Sequence, residues 1–133
     1  MRYLKRLPDL LAAIILLQTL WFKFNAAPES VYIFSSIGAE PAGRIGSGVM
    51  ELIAVVLLII SRTAWMGALL AAGIMAGAIV THLTVIGIVV MDDGGTLFIM
   101  ALIVTASCLW VLFRERDRIR SFVRERKRVF SNK

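Results

Sequence analysis

Glu51 and His82 are the residues of this 133-residue chain whose chemistry first asks for an explanation, because each stands inside a long apolar stretch. A carboxylate accepts hydrogen bonds and relays protons. An imidazole, with an unperturbed pKa of about 6.5, donates, accepts or exchanges a proton near neutrality. In a bilayer interior either group is costly unless it is partnered, so a residue of this kind marks a functional site or a polar contact between helices. Gln18, Lys23 and Arg44 stand in or beside the same kind of stretch and are candidate partners. Together with Glu51 and His82 they form the predicted ligand-binding set.

Other chemistries find little footing. Cys108 is the single cysteine, and dithiol exchange needs a pair, so thiol–disulfide chemistry within the chain is excluded and Cys108 is read as structural. His82 is the single histidine, which rules out bis-histidine haem ligation. No phosphate-binding glycine loop, zinc-ligand spacing or hydrolase triad occurs. The expectation is a chain with no metal and no resident cofactor.

The elements that must position these residues are the apolar stretches themselves. Residues 7–24, 45–61, 64–90 and 96–113 are each near or above the roughly 17 residues that span a hydrocarbon core as a helix. The composition is 59% hydrophobic, with a mean hydropathy of +0.81. In lipid, helices are the way for runs of this length to satisfy their backbone hydrogen bonds. The predicted fold class is therefore all-α: an integral membrane four-helix bundle over residues 1–113, with a basic tail over residues 114–133. A water-soluble bundle is disfavoured because the third stretch has no Lys, Arg, Asp or Glu between Arg62 and Asp92 and no polar face. The first stretch has the basic start and apolar core of a secretory signal. It runs into Trp21, Phe22, Lys23 and Phe24 without an A-x-A cleavage pattern, so it is read as a retained helix.

Charge sets the expected orientation. In a four-span chain Arg2, Lys5, Arg6, Arg62 and the tail share one side, whereas Glu29, Glu40, Asp92 and Asp93 share the other. The positive-inside tendency places both termini in the cytoplasm. The tail carries nine of the fifteen basic residues and three of the nine acidic ones, so the net charge of +6 belongs to it. A juxtamembrane location points to anionic lipid headgroups as the partner, not nucleic acid, and Phe113, Ile119, Phe122, Val123 and Phe130 would suit a helix lying on the membrane.

Helix rise then gives depth. Gln18 falls about 8 Å inside Lys23, Glu51 about 9 Å inside the start of its stretch, and His82 about 10 Å short of the end of its own. All three fall in the outer half of the bundle, with Lys23 and Arg44 at its rim. Ala68, Ala72 and Ala76, like Gly73 and Gly77, recur every fourth residue, a spacing that lets helices approach closely; Gly43, Gly46 and Gly48 are expected to do the same. Ala71, Met75, Ala78 and His82 lie on one helical face expected to point inward. Pro28 and Glu29 start a predicted short outer interfacial helix with Val31, Phe34 and Ile37 on one face and Gly38 as its terminator, and Asp92 to Gly95 read as a solvated turn.

The stretches WFKF from Trp21 to Phe24, PES from Pro28 to Ser30, GAEPAGRIGSG from Gly38 to Gly48 with Glu51 following, RTAWMGALLA from Arg62 to Ala71, GAIVTHL from Gly77 to Leu83 and DDGGTLF from Asp92 to Phe98 resemble DoxX-like membrane proteins. The resemblance covers residues 8 to 113 and leaves the tail outside. It implies a small four-helix protein of the bacterial inner membrane, associated with a redox enzyme partner, since some relatives are named as subunits of a thiosulfate:quinone oxidoreductase. It carries no catalytic motif across, so whether the chain is an enzyme stays open.

Two functions remain in view. One is a redox-associated subunit that binds a quinone or another apolar molecule, with His82 hydrogen-bonding a carbonyl and Glu51 tuning or relaying a proton. The other is a membrane scaffold whose buried polar residues only hold helices together, for which interhelical bonds supply a modest ~0.6 kcal/mol each. A transporter would need the chain to form a homo-oligomer, because four unbroken helices give it no path.

Overall fold

A computed structural model describes residues 5–90 and 94–131 of the chain. Within them the regular structure is helical: α1 (Leu7–Phe24), α2 (Pro28–Ser36), α3 (Ala42–Ile59), α4 (Ala64–Thr81) continued by a π-helical turn (His82–Ile86), α5 (Thr96–Arg114) and α6 (Arg116–Ser131). Four of these helices are long and apolar enough to cross a membrane: α1, α3, α4 with its π turn, and α5.

Local chemistry explains most boundaries. Pro8 and Pro28 sit in the first turns of α1 and α2, where a missing N–H is harmless. Gly38 follows α2 with a φ of 72°, and Gly87 follows the π turn with a φ of 80°, both in the region that glycine enters without a Cβ penalty. The third stretch accordingly stops short of residue 90: its α-helical hydrogen bonding ends at Thr81 and its last turn widens to a π-helix ending at Ile86. The second span runs from Ala42 to Ile59, earlier at both ends than residues 45–61, and the fourth extends to Arg114. Asp92 and Asp93, expected in the turn before α5, lie outside the described residues, while Gly94 and Gly95 have φ values of 68° and 87°.

The four long helices form a ring in the order α1, α3, α4, α5, each packed on its two neighbours, while the diagonal pairs hardly touch. One end of the ring gathers the start of α1, the end of α3, the start of α4 and the end of α5, as the bonds from Arg6 to Leu58 and from Arg114 to Asp9 show. This is termed the Asp9 end. The Lys23 end gathers the opposite termini. The core repeats at helical spacing: Ala64, Ala68, Ala71 and Met75 on α4 face Ala101, Val104, Cys108 and Val111 on α5, with Leu16 and Leu20 of α1 and Ala54 and Leu58 of α3 completing it. Large apolar side chains also cover the outside, among them Ile14, Leu17, Leu69, Ile103 and Leu109. A helix apolar all round is at home in hydrocarbon.

Close helix approach is concentrated at one glycine. A Cβ on Gly67 would lie 2.7 Å from both Ala54 O and Leu58 N, so α4 crosses α3 backbone to backbone there. Gly73 and Gly77, expected to do this job, do not: a Cβ on either would meet no atom within 4 Å. Gly46 is likewise open, whereas Gly43 packs against Ala39 and Phe34, and Gly48 against the ring of Phe24. A four-residue repeat of small residues marks faces that can approach, and only the neighbouring helix decides which of them do.

Candidate functional site

At the Lys23 end the helices part around a cavity of about 670 Å³, a volume within the roughly 300–1,000 Å³ typical of small-molecule sites. Its walls are mostly apolar, with Ile15 and Phe22 from α1, Ile33 and Phe34 from α2, Met50 from α3, Ile74 and Met75 from α4, and Met100 and Val104 from α5. The polar groups are few: Gln18, Thr19, Lys23, Glu29, Ser30, Ser47, Glu51, Thr81, His82 and Thr96.

Glu51 is 1% exposed and is placed by the inward face of α3, which it shares with Gly48, Ala54, Val55 and Leu58. Its Oε1 accepts from Lys23 Nζ in an ion pair, and its Oε2 lies 3.1 Å from the Thr19 hydroxyl. That hydroxyl is also 2.8 Å from Leu16 O, so its single proton serves one acceptor at a time. Lys23 comes from the last turn of α1, and its ammonium also lies 5.6 Å from the centre of the Phe34 ring. Charge and counter-charge thus meet across the α1–α3 interface. Removing both from water is tolerable only because they are paired and hydrogen-bonded.

His82, 5% exposed, opens the π turn that continues α4, the helix next to α3 in the ring. Its Nδ1 lies 3.0 Å from Gly87 O. A carbonyl can only accept, so Nδ1 carries the proton and a neutral ring keeps its lone pair on Nε2. The edge of the ring packs on Phe98, with centroids 5.5 Å apart. Because the span ends at Ile86 and not at residue 90, His82 stands only about 6 Å from its end. Single π turns inside helices recur at functional sites.

The sequence-predicted residues therefore divide. Gln18, Lys23, Glu51 and His82 line one cavity, with Glu51 and His82 on different walls and neither hydrogen-bonded to the other. Arg44 stands outside its walls. Its Nε donates to Glu40 Oε1 at 2.8 Å and its Nη1 donates to Lys23 O, so it closes the end of α1 and joins it to the start of α3. Thr19 was not among the predicted residues; its place one turn before Lys23, on the same face, is the signal that points to it. Helix α2 contributes Glu29, Ser30, Ile33 and Phe34 to the cavity and Ile37 joins them from just past its end, whereas Val31 of the expected apolar face is not part of it.

A second buried cluster occupies the Asp9 end, and sequence reasoning passed over its centre. Asp9 is fully buried and accepts from Arg114 Nη1 at 2.7 Å and Nη2 at 2.9 Å, a bidentate pair, and from Arg6 Nη2 at 3.2 Å. Arg6 also donates to Leu58 O and, at 2.8 Å, to Ile59 O, and Arg114 donates to Lys5 O. An acid three residues after Arg6 in an otherwise basic terminus was the available sign.

Taken together, fold and site define a helical bundle of membrane-crossing dimensions that carries an ion pair and a histidine on the wall of an apolar cavity. No family model, no curated protein and no solved structure matches the chain.

Proposed function

We propose that the protein is an integral membrane binding subunit that holds an apolar small molecule with a polar head, of the quinone class, in the cavity at its Lys23 end. The carrying observation is the cavity itself: about 670 Å³ of mostly apolar wall with the Lys23–Glu51 pair and His82 set into it. Apolar walls with a few placed polar groups are what such ligands require. Neutral His82, with its proton committed to Gly87 O, accepts a hydrogen bond from a quinol hydroxyl through Nε2; protonated, it donates to a quinone carbonyl. Lys23, attracted to Glu51 and to the Phe34 ring, supplies a second polar anchor.

In this reading the four long helices span a bacterial inner membrane. The Asp9 end, where Lys5, Arg6, Arg62 and the tail gather, faces the cytoplasm, and α2 lies at the outer interface against the cavity. The DoxX-like resemblance of the motifs adds a redox enzyme as the partner that supplies or removes electrons from the bound molecule.

The scaffold alternative draws on one observation: the polar groups already bond within the protein, Glu51 to Lys23 and His82 to Gly87. Mass spectrometry of the purified protein separates the two. A copurifying or added short-chain quinone that binds wild type, and binds Glu51→Gln and His82→Ala at least tenfold more weakly while both variants remain folded, supports the binding subunit. Failure of wild type to retain any such molecule, with both variants unfolding, makes it a scaffold.

A further inference from the structure

The tail offers a surface that the cavity does not explain. Helix α6 starts one residue after α5 and is pinned over its first two turns: Arg118 Nη1 donates to Ser61 O at 2.9 Å, and the Phe122 ring lies 5.2 Å from that of Trp65. These contacts lead the helix across the Asp9 end toward the α3–α4 turn. Beyond Phe122 no side chain of α6 is buried, and Val129 and Phe130 are 58% and 69% exposed.

At 100° per residue the exposed part of α6 is two-faced. Ile119, Phe122, Val123, Val129 and Phe130 share one arc, while Arg116, Arg120, Arg124 and Lys127 share another, directly beside Val123 and Phe130. From residue 124 to 131 four basic side chains stand against Glu125 alone. Arg126 falls on the apolar arc, its guanidinium 5.4 Å from the centre of the Phe122 ring, as a long side chain does when its stem lies on apolar surface and its head reaches for polar partners. An apolar arc flanked by cations fits an anionic lipid surface, where aliphatic and aromatic groups enter the acyl boundary and cations meet headgroup phosphates. A polyanion such as nucleic acid would use the cations and leave Val129 and Phe130 without a role.

We propose that the last two turns of α6 dock on an anionic membrane surface, with Val129 and Phe130 inserted and Arg124 and Lys127 on the headgroups, while Arg118 and Phe122 hold the first turns to the bundle. This rests on the reading that the four long helices span the bilayer, but not on any ligand in the cavity.

The full-length chain with Cys108→Ala and Phe130→Cys, labelled with a polarity-sensitive fluorophore, tests it in phosphatidylcholine vesicles with and without phosphatidylglycerol. The expected result is blue-shifted emission, and quenching by a bilayer-borne quencher, only where phosphatidylglycerol is present, with reversal at high salt. Replacing Arg116, Arg120, Arg124 and Lys127 by Gln should lower that preference by about 100-fold or more. Native mass spectrometry of unlabelled wild type provides a measure free of the Cys108 change, and phosphatidylglycerol should be retained over phosphatidylcholine and lost in the quadruple variant. Equal emission in both vesicles, or a response to an oligonucleotide and not to anionic lipid, overturns the proposal. A chain that fails to float with either vesicle overturns the spanning reading beneath it.

Discussion

The two ends of α1 each bury a carboxylate among cations, and they do opposite things with it. Asp9 and Lys23 are fourteen residues apart, about 21 Å along the helix. At the Asp9 end both carboxylate oxygens, two arginines and three main-chain carbonyls bond to one another, and Asp9 itself lines neither the 670 Å³ cavity nor the hollow of about 490 Å³ that Leu7, Pro8, Leu11, Ser107 and Trp110 border between α1 and α5. That end ties α1, α3, α5 and the start of the tail into one unit. At the Lys23 end the Glu51–Lys23 pair is bonded just as closely, but it faces open volume with His82 on another wall. Burial and pairing alone do not distinguish a staple from a site. What separates the two ends is that Glu51 itself lines open volume and Asp9 does not.

This contrast is easiest to break at Asp9. Replacement by Asn should destabilise the protein by about 3 kcal/mol or more, because Arg114 and Arg6 would keep their charges in a buried setting without a counter-ion. Thermal unfolding in detergent measures it, and quinone affinity of the folded fraction should stay within twofold of wild type. Gly67→Ala tests the packing between the two ends: its Cβ would strike α3 backbone, which cannot yield as a side chain can, at about 1–3 kcal/mol. The same unfolding assay reads this change, and a loss near zero would mean that α3 and α4 are not in backbone contact.

Glu51→Gln sharpens the comparison from the other side. The amide leaves Lys23 without its counter-charge much as Asp9→Asn leaves its arginines, so stability should again fall by about 3 kcal/mol, but here binding of a short-chain quinone to the folded protein should also weaken at least tenfold. Equal losses at Asp9 and Glu51, with no effect on binding from either, would erase the distinction between staple and site. The smallest stability effect is expected at Gly77→Leu, within about 0.5 kcal/mol, since the new side chain starts in open space on a helix that gains a better helix former. Its added volume at the cavity wall should nonetheless lower ligand affinity, measured by titration against the same quinone.

How far the sequence reaches differs from one element to the next. The boundaries of α1 were legible to the residue because Pro8 and the run after Phe24 punctuate them, and the onset of α2 at Pro28 was legible for the same reason. The end of α4 was not, since residues 87–90 remain apolar while Gly87 leaves the helix, and hydropathy is blind to a backbone turn. Within the site, depth along each helix brought Gln18, Glu51 and His82 to one level, but rotation about the helix axis is a separate variable. It is this rotation that joins Lys23 to Glu51, leaves His82 on a different wall and turns Arg44 toward Glu40.

By itself the sequence determined that the chain is helical, that four of its helices are long and apolar enough to cross a membrane, and that its positive charge is concentrated in the tail, because length, hydropathy and charge are properties of local segments. Only the tertiary structure decided which charges meet, that Gly67 and not Gly73 or Gly77 is the point of close approach, and that Glu51 lines a cavity while Asp9 does not. Pairing and empty space arise from the relative rotation and separation of helices distant in sequence, and these are fixed by the fit of all four side-chain surfaces at once.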